Sequence, residues 1–227
     1  QKNIPLITIL VFGIIILSLF SSSIIWKITN NAVSDNAFTG KAIDATDHLE
    51  GNTKSKVVVV EYSDPECPYC VTVHPTMKQL RTEYADKISF VYRHFPLTQI
   101  HPNAMSESRA IFCAGKIGGT KKFYGYIDAL YGYKINNKST QLPITGKEDI
   151  AKGLGIESEI FNECIKSDES EIFVGTSIND GVTAGVEGTP SSFILVKNSK
   201  GYEVVAMIDG ARPLEYFKAA IEEALSR

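Results

Sequence analysis

The chain has 227 residues and a formal net charge of −3. This length allows one large domain or two small ones. Because the chain is slightly acidic and contains no cluster of basic residues, its composition argues against a nucleic-acid partner.

The first predicted element is an apolar helix at the N-terminus. Residues 3–26 contain no charged side chain, Lys2 and Lys27 bracket them, and Trp26 suits a membrane–water boundary. The run is long enough to cross a bilayer, which predicts a transmembrane anchor over residues 1–27. A cleaved secretory signal is the alternative, although no clear cleavage site follows. We expect such an anchor to leave the rest of the chain on the extracytoplasmic side of the cell membrane.

A polar tether over residues 28–46 and a folded domain over residues 47–227 are predicted next. Val57–Tyr62 is a short β-branched run typical of a strand buried on both faces. Apolar residues then recur every three or four positions from Cys70 to Tyr84, which predicts a helix. Ile88–Phe95 is predicted to be a second strand, parallel to the first, because a helix separates the two.

A helical insert over about residues 98–185 follows. Its predicted helices are Ala104–Lys116, Lys121–Tyr131, Lys147–Leu154, Ser158–Ser167 and Glu169–Ala184. Two strands, Ser192–Lys197 and Glu203–Ile208, and a helix opened by Pro213 complete the chain. This order predicts an α/β fold in which helices cover a central sheet and a helical block is inserted mid-chain.

The stretch Cys67-Pro68-Tyr69-Cys70 lies at the predicted junction of the first strand and its helix. C-x-x-C pairs occur in zinc sites, haem attachment sites and dithiol redox sites. Haem attachment requires a histidine after the second cysteine, where this chain has Val71, and a structural zinc site requires two further ligands. The position therefore favours a redox dithiol, which needs no metal or organic cofactor.

The two thiols are expected to have different roles. A thiol is nucleophilic as its thiolate, and a helix N-terminus stabilises that anion through its dipole and unpaired N–H groups. Cys67, at the start of the helix, is predicted to be the reactive, accessible thiol. Cys70 lies one turn later and is predicted to be shielded.

Two further positions are predicted to support the dithiol. Glu61 ends the first strand, and we interpret it as a buried acid that exchanges a proton with the resolving thiol; a glutamate facing water at the sheet edge is the alternative. Thr189-Pro190 precedes a later strand. A cis bond there would leave main-chain groups free for a client, but the residues alone predict an ordinary trans proline.

The other two cysteines, Cys113 and Cys164, fall in the helical insert. As an even pair in an extracytoplasmic protein they favour a structural disulfide, which is worth roughly 4 kcal/mol in the chain-entropy model. Two buried free thiols are the alternative. His74 follows the dithiol closely but is expected to face solvent on the helix.

Several segments together resemble those of DsbA-like thiol–disulfide oxidoreductases of the thioredoxin superfamily. They are Glu61–Cys70, Tyr92–Leu97, His101–Ala104, Phe112–Ala114, Phe161–Cys164 and Gly185–Pro190. The resemblance covers nearly the whole domain and implies a thioredoxin fold with a helical insertion. It also implies a cis bond before Pro190. It assigns Cys67 as the attacking thiol, Cys70 as the resolving thiol and Glu61 as the buried acid.

Some positions depart from the best-known DsbA oxidases. Tyr69 stands where those enzymes have histidine, and Thr189 before the proline also occurs in isomerase-type relatives. Asp64 and Glu66 are expected to disfavour a thiolate at Cys67 because they carry the same charge. We therefore expect the Cys67 thiol to be less acidic than in the most oxidising members.

Together with the predicted anchor over residues 1–27, the resemblance leads us to expect a membrane-anchored, extracytoplasmic oxidoreductase that forms disulfides in unfolded or reduced protein clients. A membrane redox partner would reset the dithiol, and residues 3–26 would contact the lipid bilayer. A reductase or isomerase of the same fold is one alternative, since the direction of exchange depends on the redox potential. A tethered binding module or chaperone with a static disulfide is another.

Overall fold

The computed structural model describes residues 36–227, and residues 38–227 form one compact unit. The predicted anchor over residues 1–27 and residues 28–35 of the predicted tether lie outside the described residues. Within residues 36–227, no helix combines the length and the apolarity needed to cross a bilayer.

Five strands and six helices make up the described part of the chain. In chain order they are β1 (Glu50–Gly51), β2 (Val57–Ser63), α1 (Pro68–Glu83), β3 (Ser89–His94), α2 (Ala104–Asn137), α3 (Gly146–Gly153), α4 (Ser158–Lys166), α5 (Asp168–Thr183), β4 (Ser191–Asn198), β5 (Gly201–Asp209) and α6 (Leu214–Leu225). The predicted α/β fold with a helical insertion is therefore confirmed for this part of the chain.

The strands form one sheet in the order β1-β3-β2-β4-β5. Strands β2 and β3 are parallel, as α1 between them requires, and the other neighbouring pairs are antiparallel. All seven residues of β2 are buried, which explains its run of valines, since a central strand covered on both faces has no solvent-facing side chain.

Helices cover both faces of the sheet. Helices α1 and α6 pack with Val57 and Val59 on one face, whereas α5 and residues 38–49 pack with Val58 and Val60 on the other. The insert forms a third apolar cluster that reaches the dithiol. Helix α2 is interrupted at Gly119, whose φ of 69° lies in the left-handed region. This break separates the two helices that the sequence predicted there.

Helix α5 is held against the sheet by an ion network and a close contact. Arg93 is buried on β3 and donates to Asp180 (2.9 Å) and to Asp47. Arg93 also donates to the carbonyl oxygen of Lys41 (2.8 Å), so part of the segment predicted as tether contacts the folded domain. Next to Asp180, the absence of a side chain at Gly181 leaves room for the ring of Phe95.

We expect Gly181→Ala to destabilise the protein, because the added methyl group would collide with the buried rings of Phe95 and Tyr62. Overpacking of this kind costs about 1–3 kcal/mol. Gly175→Ala on the same helix is the matched control, since its methyl group would meet no atom within 4 Å. It should be neutral or stabilising by up to about 1 kcal/mol, the helix preference of Ala over Gly. Urea denaturation measures both changes, and equal effects would contradict the proposed contact.

Candidate active site

The dithiol lies where β2 ends and α1 begins. Cys67 is the residue that precedes the helix, with extended backbone angles, and Pro68 occupies the first turn. Both Cys67 and Cys70 are free thiols. Pro68 and Tyr69 between them are exposed, whereas Cys67 is only 3% exposed and Cys70 is fully buried. Cys67 is thus less accessible than the sequence predicted, because the insert packs against it.

The surroundings of the two sulfurs drive their acidities apart. A hydrogen bond from the Cys70 thiol, together with backbone N–H groups of the first helical turn, lowers the pKa of Cys67 to about 6, although burial of the side chain acts in the opposite direction. Burial, followed by the bond to Cys67, raises the pKa of Cys70 well above its ordinary value. The reduced pair therefore carries its negative charge on Cys67 near neutral pH.

The hydroxyl of Ser63 lies within reach of both Cys70 and the buried acid Glu61. Burial raises the pKa of Glu61, while the hydroxyl of Ser63 opposes that effect at both Glu61 and Cys70. The Ser63 hydroxyl also contacts the hydroxyl of Tyr131 (3.2 Å), which in turn contacts that of Tyr92 (3.4 Å). These polar groups connect the resolving thiol with the acid.

Asp64 and Glu66 are both paired with the loop that follows β3. The carboxylate of Asp64 accepts from the Leu97 N–H (2.7 Å) and contacts Nδ1 of His101 (2.7 Å). Glu66 accepts from the N–H and side chain of Asn103 (2.7 and 2.9 Å). Because both charges are satisfied by neighbouring loops, neither is a leading influence on the pKa of Cys67.

A buried ion pair supports the same loop. Lys134 on α2 donates to the carbonyl oxygen of Pro65 (2.8 Å) and to the carboxylate of Glu107 (2.6 Å), and both side chains are almost completely buried. The sequence did not predict this role, because Lys134 lies 69 residues after Pro65. No local pattern distinguishes it from a lysine on a solvent-facing helix.

The Thr189-Pro190 bond is cis and lies beside the dithiol. The Cys67 thiol donates to the carbonyl oxygen of Thr189, with a sulfur–oxygen distance of 3.4 Å. The two segments are 122 residues apart in the chain. The fold therefore brings the Thr189-Pro190 bond beside Cys67, while Glu61 is linked to Cys70 through Ser63.

Cys113 and Cys164 form a disulfide that joins α2 to α4. The bond lies inside the helical insert, in the same apolar cluster as the dithiol. In the described residues, no group of three His, Cys, Asp or Glu side chains is arranged to hold a metal ion.

His74 is buried and does not face solvent as predicted. It is 7% exposed, its ring stacks on Tyr131 at 4.7 Å, and its Nε2 lies 3.1 Å from an oxygen of Asp128. Both partners belong to α2, which covers this side of α1. The prediction was wrong because α2 covers this side of α1, and the sequence around His74 contains no pattern that indicates this cover.

The family model described as thioredoxin matches residues 44–223. A provisional protein-disulfide oxidoreductase of Rickettsia typhi is 31% identical over 167 residues, which are 71% of this chain and 59% of that protein. The structure of DsbA2 from Pseudomonas aeruginosa is 25% identical, with a TM-score of 0.63 over 81% of this chain and 96% of that one.

Several relatives are longer proteins that are named as Na(+)/H(+) antiporters. The Na(+)/H(+) antiporter NhaA 1 of Salinispora arenicola is 29% identical over 162 residues. These are 71% of this chain but only 24% of the antiporter, so the chain spans about a quarter of the length of this relative. The similarity to such proteins is therefore confined to a part of them.

We expect the thiolate absorbance of the reduced protein to appear with a midpoint near pH 6, the pKa of Cys67. Cys70→Ala should move this midpoint upward, toward the ordinary thiol value of about 8.5, because it removes the hydrogen-bond donor. Cys70→Ser is the matched control, since its hydroxyl still donates, and it should shift the midpoint less. A midpoint near pH 8.5 in the parent protein would contradict the assigned environment.

Proposed function

Because the chain belongs to the thioredoxin family, we propose that it is a thiol–disulfide oxidoreductase that forms disulfides in protein clients outside the cytoplasm. The observation that carries this proposal is the difference between the two thiols: Cys67 has its pKa lowered by the Cys70 hydrogen bond, and Cys70 has its own raised by burial. This difference gives one sulfur the nucleophile's role and the other the resolving role.

In the proposed reaction, a client thiolate attacks the Cys67 sulfur of the oxidised pair. The Cys67–Cys70 bond breaks, a mixed disulfide forms at Cys67, and Cys70 leaves with the electron pair and takes a proton from Glu61. A second client thiol loses its proton to solvent and attacks the client sulfur of the mixed disulfide. Cys67 then leaves as a thiolate and the client has gained a disulfide.

The other residues have supporting roles in this proposal. Thr189 and Pro190 border Cys67, so their main chain is placed to pair with an extended client segment. Tyr69 is 64% exposed and offers apolar surface beside the dithiol. The Cys113–Cys164 disulfide stabilises the insert, which covers Cys70.

We also propose that the protein is held at the cell membrane by residues 1–27, with residues 28–46 as the tether and the domain of residues 47–227 outside the cytoplasm. The uncharged run over residues 3–26 supports the anchor. Because each turnover leaves the dithiol reduced, a redox partner carrying a disulfide must reoxidise it, and an anchor would keep the protein near a membrane partner.

Cys67→Ser should abolish oxidation of a reduced model client, because the remaining Cys70 cannot form the exchanging pair. Mixed with a client that already holds a disulfide, Cys70→Ser should accumulate a mixed disulfide at Cys67: the Cys67 thiolate displaces one client thiolate, and no Cys70 thiol is present to release the other. Mass spectrometry of the acid-trapped reaction detects this species. The double variant Cys113→Ser/Cys164→Ser is the control: it should lose thermal stability but retain exchange. Unchanged client oxidation by Cys67→Ser would instead favour a binding module with a static disulfide.

The redox potential of the Cys67–Cys70 couple should lie between those of thioredoxin, about −270 mV, and DsbA, about −120 mV. The reason is that the Cys67 pKa of about 6 lies between the corresponding values of those proteins, about 7 and about 3.5. Equilibration with glutathione measures it. Tyr69→His should make the couple more oxidising by adding a possible stabiliser of the thiolate, and a parent value close to that of thioredoxin would favour the reductase alternative.

A further inference from the structure

We infer that Lys134 is a positioning residue for exchange at the Cys67–Cys70 dithiol. Its bond to the carbonyl oxygen of Pro65 holds the loop Asp64–Glu66 in the place where the Asp64 N–H meets the sulfur of Cys70. This inference rests on the proposed function and deepens it, because it assigns part of the chemistry to the helical insert. The Asp64 N–H contacts a reacting atom, whereas Lys134 acts through the loop.

The main-chain N–H of Asp64 is a donor to the resolving sulfur. Its nitrogen lies 3.5 Å from Sγ of Cys70, and the contact is buried. In the proposed reaction a client thiolate attacks Cys67, the Cys67–Cys70 bond breaks, and Cys70 leaves with the electron pair. Negative charge therefore develops on the sulfur that this N–H contacts. A donor already fixed at that position stabilises the charge as it forms, and a leaving thiol of lower pKa leaves faster.

The pKa of Cys70 reflects this contact. Burial, followed by the bond to Cys67, raises this pKa, whereas the hydroxyl of Ser63 and the N–H of Asp64 lower it. The charge of Lys134 is not one of the leading influences on Cys70. Lys134 therefore acts on the sulfur by placing the loop that carries the N–H.

The loop Asp64–Glu66 depends on bonds from elsewhere in the chain. It belongs to neither β2 nor α1, and Pro65 has no N–H to donate. The insert binds each of the three loop residues. The hydroxyl of Tyr131 donates to the carbonyl oxygen of Asp64 (3.2 Å), Nζ of Lys134 donates to that of Pro65 (2.8 Å), and Asn103 donates to the carboxylate of Glu66 (2.7 Å).

The bond from Lys134 is shielded from water and leaves the insert. The side chain of Lys134 is 0% exposed, and that of its partner Glu107 is 2% exposed. A pair that served only the insert would need the bond between these two side chains, which joins the two parts of α2 on either side of Gly119. The second bond reaches Pro65, 69 residues earlier in the chain. Because a buried carbonyl oxygen without a donor is unfavourable, loss of Lys134 should shift the loop.

The test measures single-turnover reduction of the oxidised full chain by dithiothreitol, with acid quenching and mass spectrometry. One thiolate of dithiothreitol attacks the Cys67 sulfur and Cys70 leaves; the second thiol of the reagent then displaces Cys67 and closes the oxidised ring. We expect Lys134→Met to slow the first step about tenfold. This is less than the roughly 10²–10³-fold lost when a stabilising donor is deleted, because the Asp64 N–H is displaced rather than removed.

Lys122→Met is the matched control. Lys122 also lies on α2, and its Nζ also donates to a main-chain carbonyl oxygen, that of Gly155 at 3.0 Å, but this contact is exposed. The rate of reduction of this variant should match that of the parent. Equal slowing by Lys122→Met and Lys134→Met would overturn the inference.

Alkylation of Cys67 in the reduced chain separates positioning from a general loss of structure. In this reaction the Cys67 thiolate attacks the reagent and Cys70 does not leave. Lys134→Met should therefore slow alkylation much less than it slows reduction, whereas a disordered site would change both rates together. An unchanged rate of reduction in Lys134→Met, or an equal change in the two reactions, would contradict the assigned role.

A second variant covers the case in which circular dichroism shows that Lys134→Met does not fold, since Glu107 would then be buried without its partner. The double variant Lys134→Met/Glu107→Leu replaces the whole buried pair by apolar side chains, a change that is often neutral for stability. It lacks the same bond to Pro65, so it should slow reduction to the same extent, and parent-like reduction would overturn the inference. Because dithiothreitol replaces the client in this assay, a parent chain that oxidises no reduced client would instead overturn the proposed function.

Discussion

The full burial of Cys70 is the constraint on which the chemistry of the site depends. Burial opposes ionisation of this thiol, so it retains its proton and donates it in a hydrogen bond to Cys67. The charge of the reduced pair is thereby confined to Cys67, at the helix N-terminus.

Since the pKa of Cys67 is lower in the folded than in the unfolded chain, the stability of the reduced protein grows as the pH rises from about 6 toward the ordinary thiol value of about 8.5. A more stable reduced form makes the couple more oxidising.

The side chains on the two faces of β2 have different roles. Glu61 and Ser63 are two residues apart and project to the same face of the sheet, toward α1 and the dithiol. Tyr62, between them, projects to the opposite face, where its hydroxyl donates to Asp180 (2.5 Å) beside Arg93. One strand therefore carries Glu61 and Ser63 on the face of α1 and anchors α5 on the other side. Because helices cover both faces, Glu61 is shielded from bulk water, which explains why burial raises its pKa.

Local patterns predicted the elements well, and contacts distant in sequence were predicted poorly. The valine run, the helical spacing after Cys70 and the strand pair near the C-terminus specify their own structures, since each depends on neighbours in the chain. The environment of Asp64 depends on Leu97 and His101, and that of His74 depends on Asp128. These contacts depend on how the insert packs over α1, which periodicity does not encode.

Under the proposed function, the low exposure of Cys67 would restrict which clients can reach its sulfur. Cys67 belongs to the apolar cluster of the insert, and exposed Pro68 and Tyr69 follow it in the chain. The carbonyl oxygen of Thr189 lies 3.4 Å from the sulfur. If the client's thiol lay on a rigid, convex surface, that surface would meet the side chains of Pro68 and Tyr69 before the thiol reached Cys67. An extended segment can instead lie along Thr189 with its backbone paired and bring its cysteine to the sulfur. Under the proposed function, this geometry would favour unfolded clients over folded ones.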